Sequence, residues 1–190
     1  MMASLKPGMR VFDIGANVGY YTQKFAEVVG PTGEVHAFEP VPASAAKVRE
    51  LQAQYPWIHV HECAVADRPG EVVMNAEADS TSPTNRIAFD GENSAEGIAV
   101  PVLTIDHAAA DFGVPAFIKI DVEGYEWHVV QCAASVLGLR ELRHVFVEIH
   151  FALLESRGLS MAGDLVRKAL DESGFKSEFT DFSHLHASRS

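Results

Sequence analysis

The sequence predicts an α/β fold, a mostly parallel sheet with helices wound over both faces. Two observations carry that prediction. Short β-rich apolar runs alternate with longer segments of helical period along the chain, and strands spaced in this way are buried between helices. The first run, ending at Ile14, breaks into a glycine turn that leads straight into an amphipathic segment, the strand–turn–helix unit of doubly wound sheets.

The elements follow in order. Strands are expected at Arg10–Ile14, Glu34–Phe38, Ile58–Glu62, Ala116–Asp121 and His144–His150, each ending in or near a polar residue. Between them, Tyr21, Phe25 and Val28 share a helical face, Ala45–Gln54 continues helically after Pro42, and Gly124–Val136 is a third candidate helix. A fourth is expected over Ser160–Glu172, with Ser160 as N-cap and Gly174 just past its end. Phe175–Thr180 and His184–Ser188, parted only by a tight turn at Asp181–Ser183, read as an antiparallel pair that completes the sheet. Glu77–Gly97 breaks the rhythm, because Ser, Thr, Asn, Asp and Gly dominate and only Ile87 and Phe89 are strongly apolar. Within a single domain spanning residues 1–190, this stretch is expected to be a substrate-covering lid or a mobile insertion.

Composition narrows the function. At 190 residues and 47% hydrophobic, the chain can bury one sizeable core. Its apolar stretches, such as VFVEIHFALL from Val145, are short and interrupted by charge, and no basic patch with an apolar run follows Met1. Neither a membrane span nor a signal peptide is expected. Cys63 and Cys132 both sit in core-like segments, the usage of a reduced compartment, so a cytoplasmic address is expected. A net charge of −11 with 15 scattered basic residues argues against a nucleic-acid substrate. The expected partner is a small molecule, and a second copy of the chain is the one macromolecular partner considered.

The strongest motif is VFDIGANVGYYT, Val11 to Thr22. Gly15 lets the backbone turn sharply, Gly19 lets it approach a ligand or the sheet, and the helix that follows presents free N–H groups. The middle glycine of a dinucleotide fingerprint is absent, and Asp13 stands two residues before the first glycine, where it would repel a pyrophosphate. A carboxylate there suits the ammonium of an amino acid, and S-adenosylmethionine carries an ammonium, a carboxylate and a sulfonium. The second element, VHAFEP from Val35, ends in Glu39, twenty positions after Gly19, the spacing at which an acid reaches a ribose diol.

Several pieces in order resemble the FkbM-type methyltransferases within the class I adenosylmethionine-dependent superfamily: FDIGANVGYYT from Phe12, HAFEPVP from His36, CAVADRPGEV from Cys63, VPVLTIDH from Val100, FIKIDVEGYE from Phe117 and VEIH from Val147. The resemblance implies a Rossmann-like sheet of about seven strands with the last one antiparallel. It also implies methyl transfer to the hydroxyl oxygen of a small molecule or sugar-containing acceptor. The first strand begins after about nine residues, where such proteins usually carry a longer leading region, so the acceptor pocket is expected to be open or completed by another chain. The expected cofactor contacts are Asp13, Gly15, Asn17, Gly19, Tyr20, Glu39, Ala64 and Asp121.

IKIDVEGYE places Lys119 and Asp121 on one side of a strand, with Asp121 at the carboxyl end where ligands bind in open sheets. Glu148 and His150 are expected to share a face of the neighbouring strand. These four are the catalytic candidates. A base must take the hydroxyl proton, and His150, Asp121 and Glu148 rank in that order because an unperturbed imidazole titrates nearest neutrality. The alternative for Lys119 is a buried ion pair that only organises the core. Asp121 and Glu148 could also hold Mg²⁺ through oxygens, but carboxylates alone assign no metal. The other histidines, His36, His59 and His61 among them, lack ligand spacing and are expected at the surface or the edge of the core. Two rival functions stand beside methyl transfer: an NAD-dependent oxidoreductase, and a module that binds adenosylmethionine without turnover.

Overall fold

The computed structural model describes residues 1–75, 86–87 and 97–190. Its main sheet has seven strands, of which β1 (Arg10–Ile14), β2 (Glu34–Phe38) and β3 (Ile58–His61) come first in the chain. A second, four-stranded sheet follows, made of β4 (Ala64–Val65), β5 (Gly70–Asn75), β6 (Arg86–Ile87) and β7 (Ile98–Leu103). The chain then returns to the main sheet through β8 (Phe117–Ile120), β9 (His144–Glu148), β10 (Lys176–Phe179) and β11 (His184–Ser188). The main order is β3-β2-β1-β8-β9-β11-β10. β3, β2, β1, β8 and β9 pair in parallel, whereas β11 runs antiparallel to both β9 and β10. The expected doubly wound α/β sheet is therefore present.

The two-residue period of the strands divides the core. Phe12, Ile14, Ile118, Ile120, Val145 and Val147 point to one face, covered by Val129, Val130, Val166 and Leu170. Val11, Val35, Phe117 and Phe146 point to the other, against Phe25, Ala26 and Val29 of α1 (Tyr20–Val29). Asp13 and Lys119 stand two positions from Val11 and Phe117, so they too face α1. That placement decides their surroundings.

The other α-helices described are α2 (Pro42–Leu51), α3 (Ile105–Phe112), α4 (Glu126–Gln131), α5 (Ala134–Leu137), α6 (Phe151–Ser156) and α7 (Ala162–Glu172), and short 3-10 turns lie at Met2–Ser4 and Gly30–Thr32. Several expectations are corrected. The third candidate helix is two helices, α4 and α5, and α4 starts only at Glu126 because Glu123 and Gly124 hold φ of +50° and +86°, outside helical geometry. α7 begins at Ala162 with Met161 as a cap that offers no side-chain bond, so Ser160 is not its N-cap. β9 ends at Glu148, and His150 is the N-cap residue of α6 with ψ of 71°. The expected lid at 77–97 lies outside the described residues except for Arg86–Ile87, which pairs with β5, and residue 97. Among the described residues no helix is long and apolar enough to cross a membrane.

Candidate active site

The turns after β1, β2, β8 and β9 meet at the carboxyl edge of the sheet, where open α/β sheets bind their ligands. Gly15 has φ of +76°, and a Cβ there would run into the Asp121 carbonyl oxygen. Only glycine allows the β1 turn to lie against the end of β8. Its N–H and that of Ala16 donate to the Phe38 carbonyl at 3.0 and 3.1 Å, which fastens the turn to β2 as well. Gly19, at φ of +89°, caps α1, and a Cβ on it would stand 2.8 Å from Leu51.

Asn17 adopts φ of +50°, a conformation asparagine tolerates better than most residues. Its N–H donates to Glu39 Oε2 at 2.8 Å, while Glu39 Oε1 accepts from the Val41 N–H at 2.9 Å. The acid at the end of β2 thus ties the glycine turn to the start of α2. Burial pushes the Glu39 carboxyl up to about 7, against the lowering effect of those two N–H groups. Asn17 Oδ1 is buried without a hydrogen-bond partner among the described residues. An acceptor in that state inside a ligand-facing turn is suited to a donor from a bound molecule. Tyr20 lies open at the start of α1, with Lys24 Nζ 4.6 Å from its ring centroid.

Beneath the turn, Asp13 is fully buried. Thr22 donates to its Oδ2 at 2.6 Å, and Lys119 Nζ stands 3.3 Å from its Oδ1. Lys119 Nζ also lies 3.2 Å from Asp121 Oδ2 and donates to the Gly15 carbonyl at 2.9 Å. Burial raises the Asp13 carboxyl, with Lys119 and Thr22 opposing. For Lys119, burial works against the charge, but Asp13 and Asp121 outweigh it and the ammonium is held above its usual range. Asp13 therefore holds Lys119, and Lys119 holds the turn's backbone, which is the organising arrangement expected as the alternative for Lys119. Ala64 is buried on β4, paired with Val102 and packed with Ala66, Met74 and Val100 in the second sheet.

Asp121 meets His150, with Oδ1 3.8 Å from Nε2. Two residues missed in the sequence join them. Glu123 Oε2 is 3.4 Å from His150 Nε2, and the fully buried Glu126 accepts His150 Nδ1–H and the Gly124 N–H at 2.8 Å each. Both lie in IDVEGYE, just past the carboxyl end of β8, and that position was the signal available. Burial alone would lower the His150 pKa, but the bonds and charges of Glu123 and Glu126 push it up to about 10. His150 is thus an imidazolium at neutral pH, and the reason for ranking it first as a base falls away. Glu148 does not join this group. It lies on the Phe146 face of β9, and its ion pair among the described residues is with His184 at 3.4 Å. β9 has ended before His150, so the strand period does not bring the two together.

The sequence matches the family described as "Methyltransferase FkbM domain" over residues 13–177. It is 28% identical to the 31-O-demethyl-FK506 methyltransferase FkbM of Streptomyces tacrolimicus, over 84% of this chain and 76% of that protein. It is 26% identical to the 2-O-methyltransferase NoeI of Sinorhizobium fredii, over 75% of this chain and 64% of that protein. In fold it resembles a fibrillarin of Aeropyrum pernix crystallised with S-adenosyl-L-methionine, at a TM-score of 0.55 and 14% identity, over 96% of this chain and 66% of the other. A match that begins at Asp13, near the end of β1, and runs through the β8 edge to β10 takes in every residue gathered at this site, so the chain belongs to the FkbM methyltransferase family.

Proposed function

We propose that this methyltransferase moves the methyl group of S-adenosyl-L-methionine onto a hydroxyl oxygen of a small molecule or sugar-containing acceptor. The observation that carries the reading is the β1 turn, closed against Asp121 through Gly15 and bound to Glu39 through the Asn17 N–H. A turn so held, with an unpartnered acceptor on Asn17 and a carboxyl at the end of β2, fits an amino-acid nucleoside. Asn17, Gly15 and Gly19 form the turn, and on this reading Glu39 receives the ribose while Tyr20, Ala64 and Asp121 complete the cofactor contacts. Asp13 acts from beneath, through Lys119 and the Gly15 carbonyl. The names of FkbM and NoeI, both O-methyltransferases, support oxygen as the accepting atom.

Bound there, the cofactor supplies an activated methyl: a lone pair of the hydroxyl oxygen forms the C–O bond while the C–S pair departs on sulfur as S-adenosylhomocysteine. Positioning supplies much of the rate of such an in-line displacement. The hydroxyl proton passes to the carboxylate edge, Asp121 or Glu123, since His150 already carries its own. Glu148 and Lys119 take supporting places, the first beside His184 and the second under the turn.

Calorimetry separates this reading from its rivals. S-adenosylhomocysteine is expected to bind and NAD to leave no heat, and Glu39→Ala is expected to weaken the former by about 1–3 kcal/mol through lost charge-assisted bonds. Micromolar NAD affinity without S-adenosylhomocysteine binding overturns the proposal. Retention of the cofactor with no label transferred from methyl-labelled S-adenosylmethionine to a panel of glycosides and polyketide alcohols would favour the binding module.

A further inference from the structure

We propose that Asp121, Glu123 and His150 form a binding site for a divalent first-row transition-metal cation at the carboxyl edge of the sheet. One ligand atom from each, a carboxylate oxygen from Asp121 and Glu123 and a nitrogen from His150, lies within 4.8 Å of the others. Nε2 of His150 stands 3.8 Å from Asp121 Oδ1 and 3.4 Å from Glu123 Oε2. A cation with bonds of about 2.0–2.2 Å sets neighbouring ligands about 3.0–3.5 Å apart, so small side-chain movements close the set. All three side chains are reachable from solvent, with exposures of 19% for His150, 24% for Asp121 and 22% for Glu123.

A separate observation comes from Glu126, which the reaction does not require. Its side chain is fully buried and turned onto His150, where Oε1 accepts Nδ1–H at 2.8 Å. Its Oε2 is buried with no hydrogen-bond partner among the described residues. A buried carboxylate behind an imidazole fixes the ring and presents the opposite nitrogen, as the outer partner of a metal-bound histidine does. Here the nitrogen so presented is the one facing Asp121 and Glu123, and the cation takes the place of the proton that Nε2 carries in the metal-free chain, which is released to solvent on binding. The charges agree: once His150 gives up its Nε2 proton to the metal, Lys119 alone opposes the carboxylates Asp13, Asp121, Glu123 and Glu126, leaving negative charge in excess. One imidazole with two carboxylates suits Mn²⁺ or Zn²⁺ better than Ca²⁺ or Mg²⁺, which prefer oxygen alone.

The role of the cation rests on the methyl-transfer reading, in which it would hold the acceptor's hydroxyl oxygen beside Asp121. Its binding does not. Mn²⁺ titrated into the full chain without cofactor, followed by electron paramagnetic resonance of the free ion and by calorimetry, is expected to fill one site with micromolar affinity. Zn²⁺ is expected to compete for it. Glu123→Gln, at a part-exposed position that leaves the fold intact by circular dichroism, is expected to lose at least about tenfold in Mn²⁺ affinity. Glu126→Gln is expected to lose about 10- to 100-fold, and Glu148→Gln to lose none. Mn²⁺ and Zn²⁺ binding no tighter than millimolar, or Mn²⁺ affinity unchanged in folded Glu123→Gln, overturns the site. S-adenosylhomocysteine titrated into the same samples keeps the two readings apart: a failed metal site beside intact cofactor binding removes only the cation.

Discussion

At Gly15 the chain has no room for a side chain, since a Cβ would collide with the Asp121 carbonyl while φ stands at +76°. Two costs fall on one substitution. The left-handed backbone alone costs an alanine about 1–2 kcal/mol, and the collision adds displacement of the β8 edge. Gly158 offers the comparison, because it has φ of +73° but open space around it. Gly15→Ala is therefore expected to lose more stability in urea than Gly158→Ala, and to weaken S-adenosylhomocysteine by at least about tenfold while Gly158→Ala leaves it unchanged. Equal effects of the two variants would show that the close approach to Asp121 is unimportant. Gly15, Asn17 and Glu39 could be picked out from spacing because the strand–turn–helix unit is local. Glu123 and Glu126 could not, since their value comes from His150, a contact made across 24 residues by Glu126.

Along β2 and β3 the structure gathers histidines that the sequence left at the surface or edge of the core. His36 is buried, shares a hydrogen bond of 3.0 Å with His61, and stacks on His59, His61 and Phe112. Burial, then the neighbouring histidines, bring His36 down to about 4, with Glu34 opposing; burial and His59 do the same for His61. Both rings are neutral in the folded chain and take protons near 6.5 once unfolded. Their contribution to stability is complete above about pH 6.5 and is lost as pH falls from there towards 4. The ceiling is about 1.4 kcal/mol per pH unit for each ring. Urea unfolding at pH 7, 6, 5 and 4.5 should show this acid limb, and His36→Phe, which keeps an aromatic ring against Phe12 and Phe112, should flatten it. A parallel profile in wild type and variant would clear His36 of the effect. Elements with strong local signals were readable in this way, and weak ones were not. β7 was not legible because Pro101 interrupts its run, yet β4 pairs with it only at Val102 and Leu103, so among the described residues that side of Pro101 has no partner strand.

For the whole molecule, a ligand that binds only the folded chain stabilises it by mass action, by about 2.7 kcal/mol at one hundred times its dissociation constant. In a chain of this size that corresponds to a rise of about 5–10 °C in Tm. Saturating S-adenosylhomocysteine should produce such a rise in scanning calorimetry, and NAD should not. No shift with S-adenosylhomocysteine would contradict the cofactor assignment. The main sheet, its strand–turn–helix start and the strand-end acids Asp13, Glu39, Asp121 and Glu148 were determined by the sequence alone, because period, glycine placement and strand-end polarity are properties of short segments. The tertiary structure decided what those acids face. Asp13 is sealed under the turn with Lys119, Glu148 is turned to His184, and His150 is drawn out of its strand to three carboxylates. A side chain's charge state depends on desolvation and on neighbours brought from distant segments, and these exist only once the chain has folded.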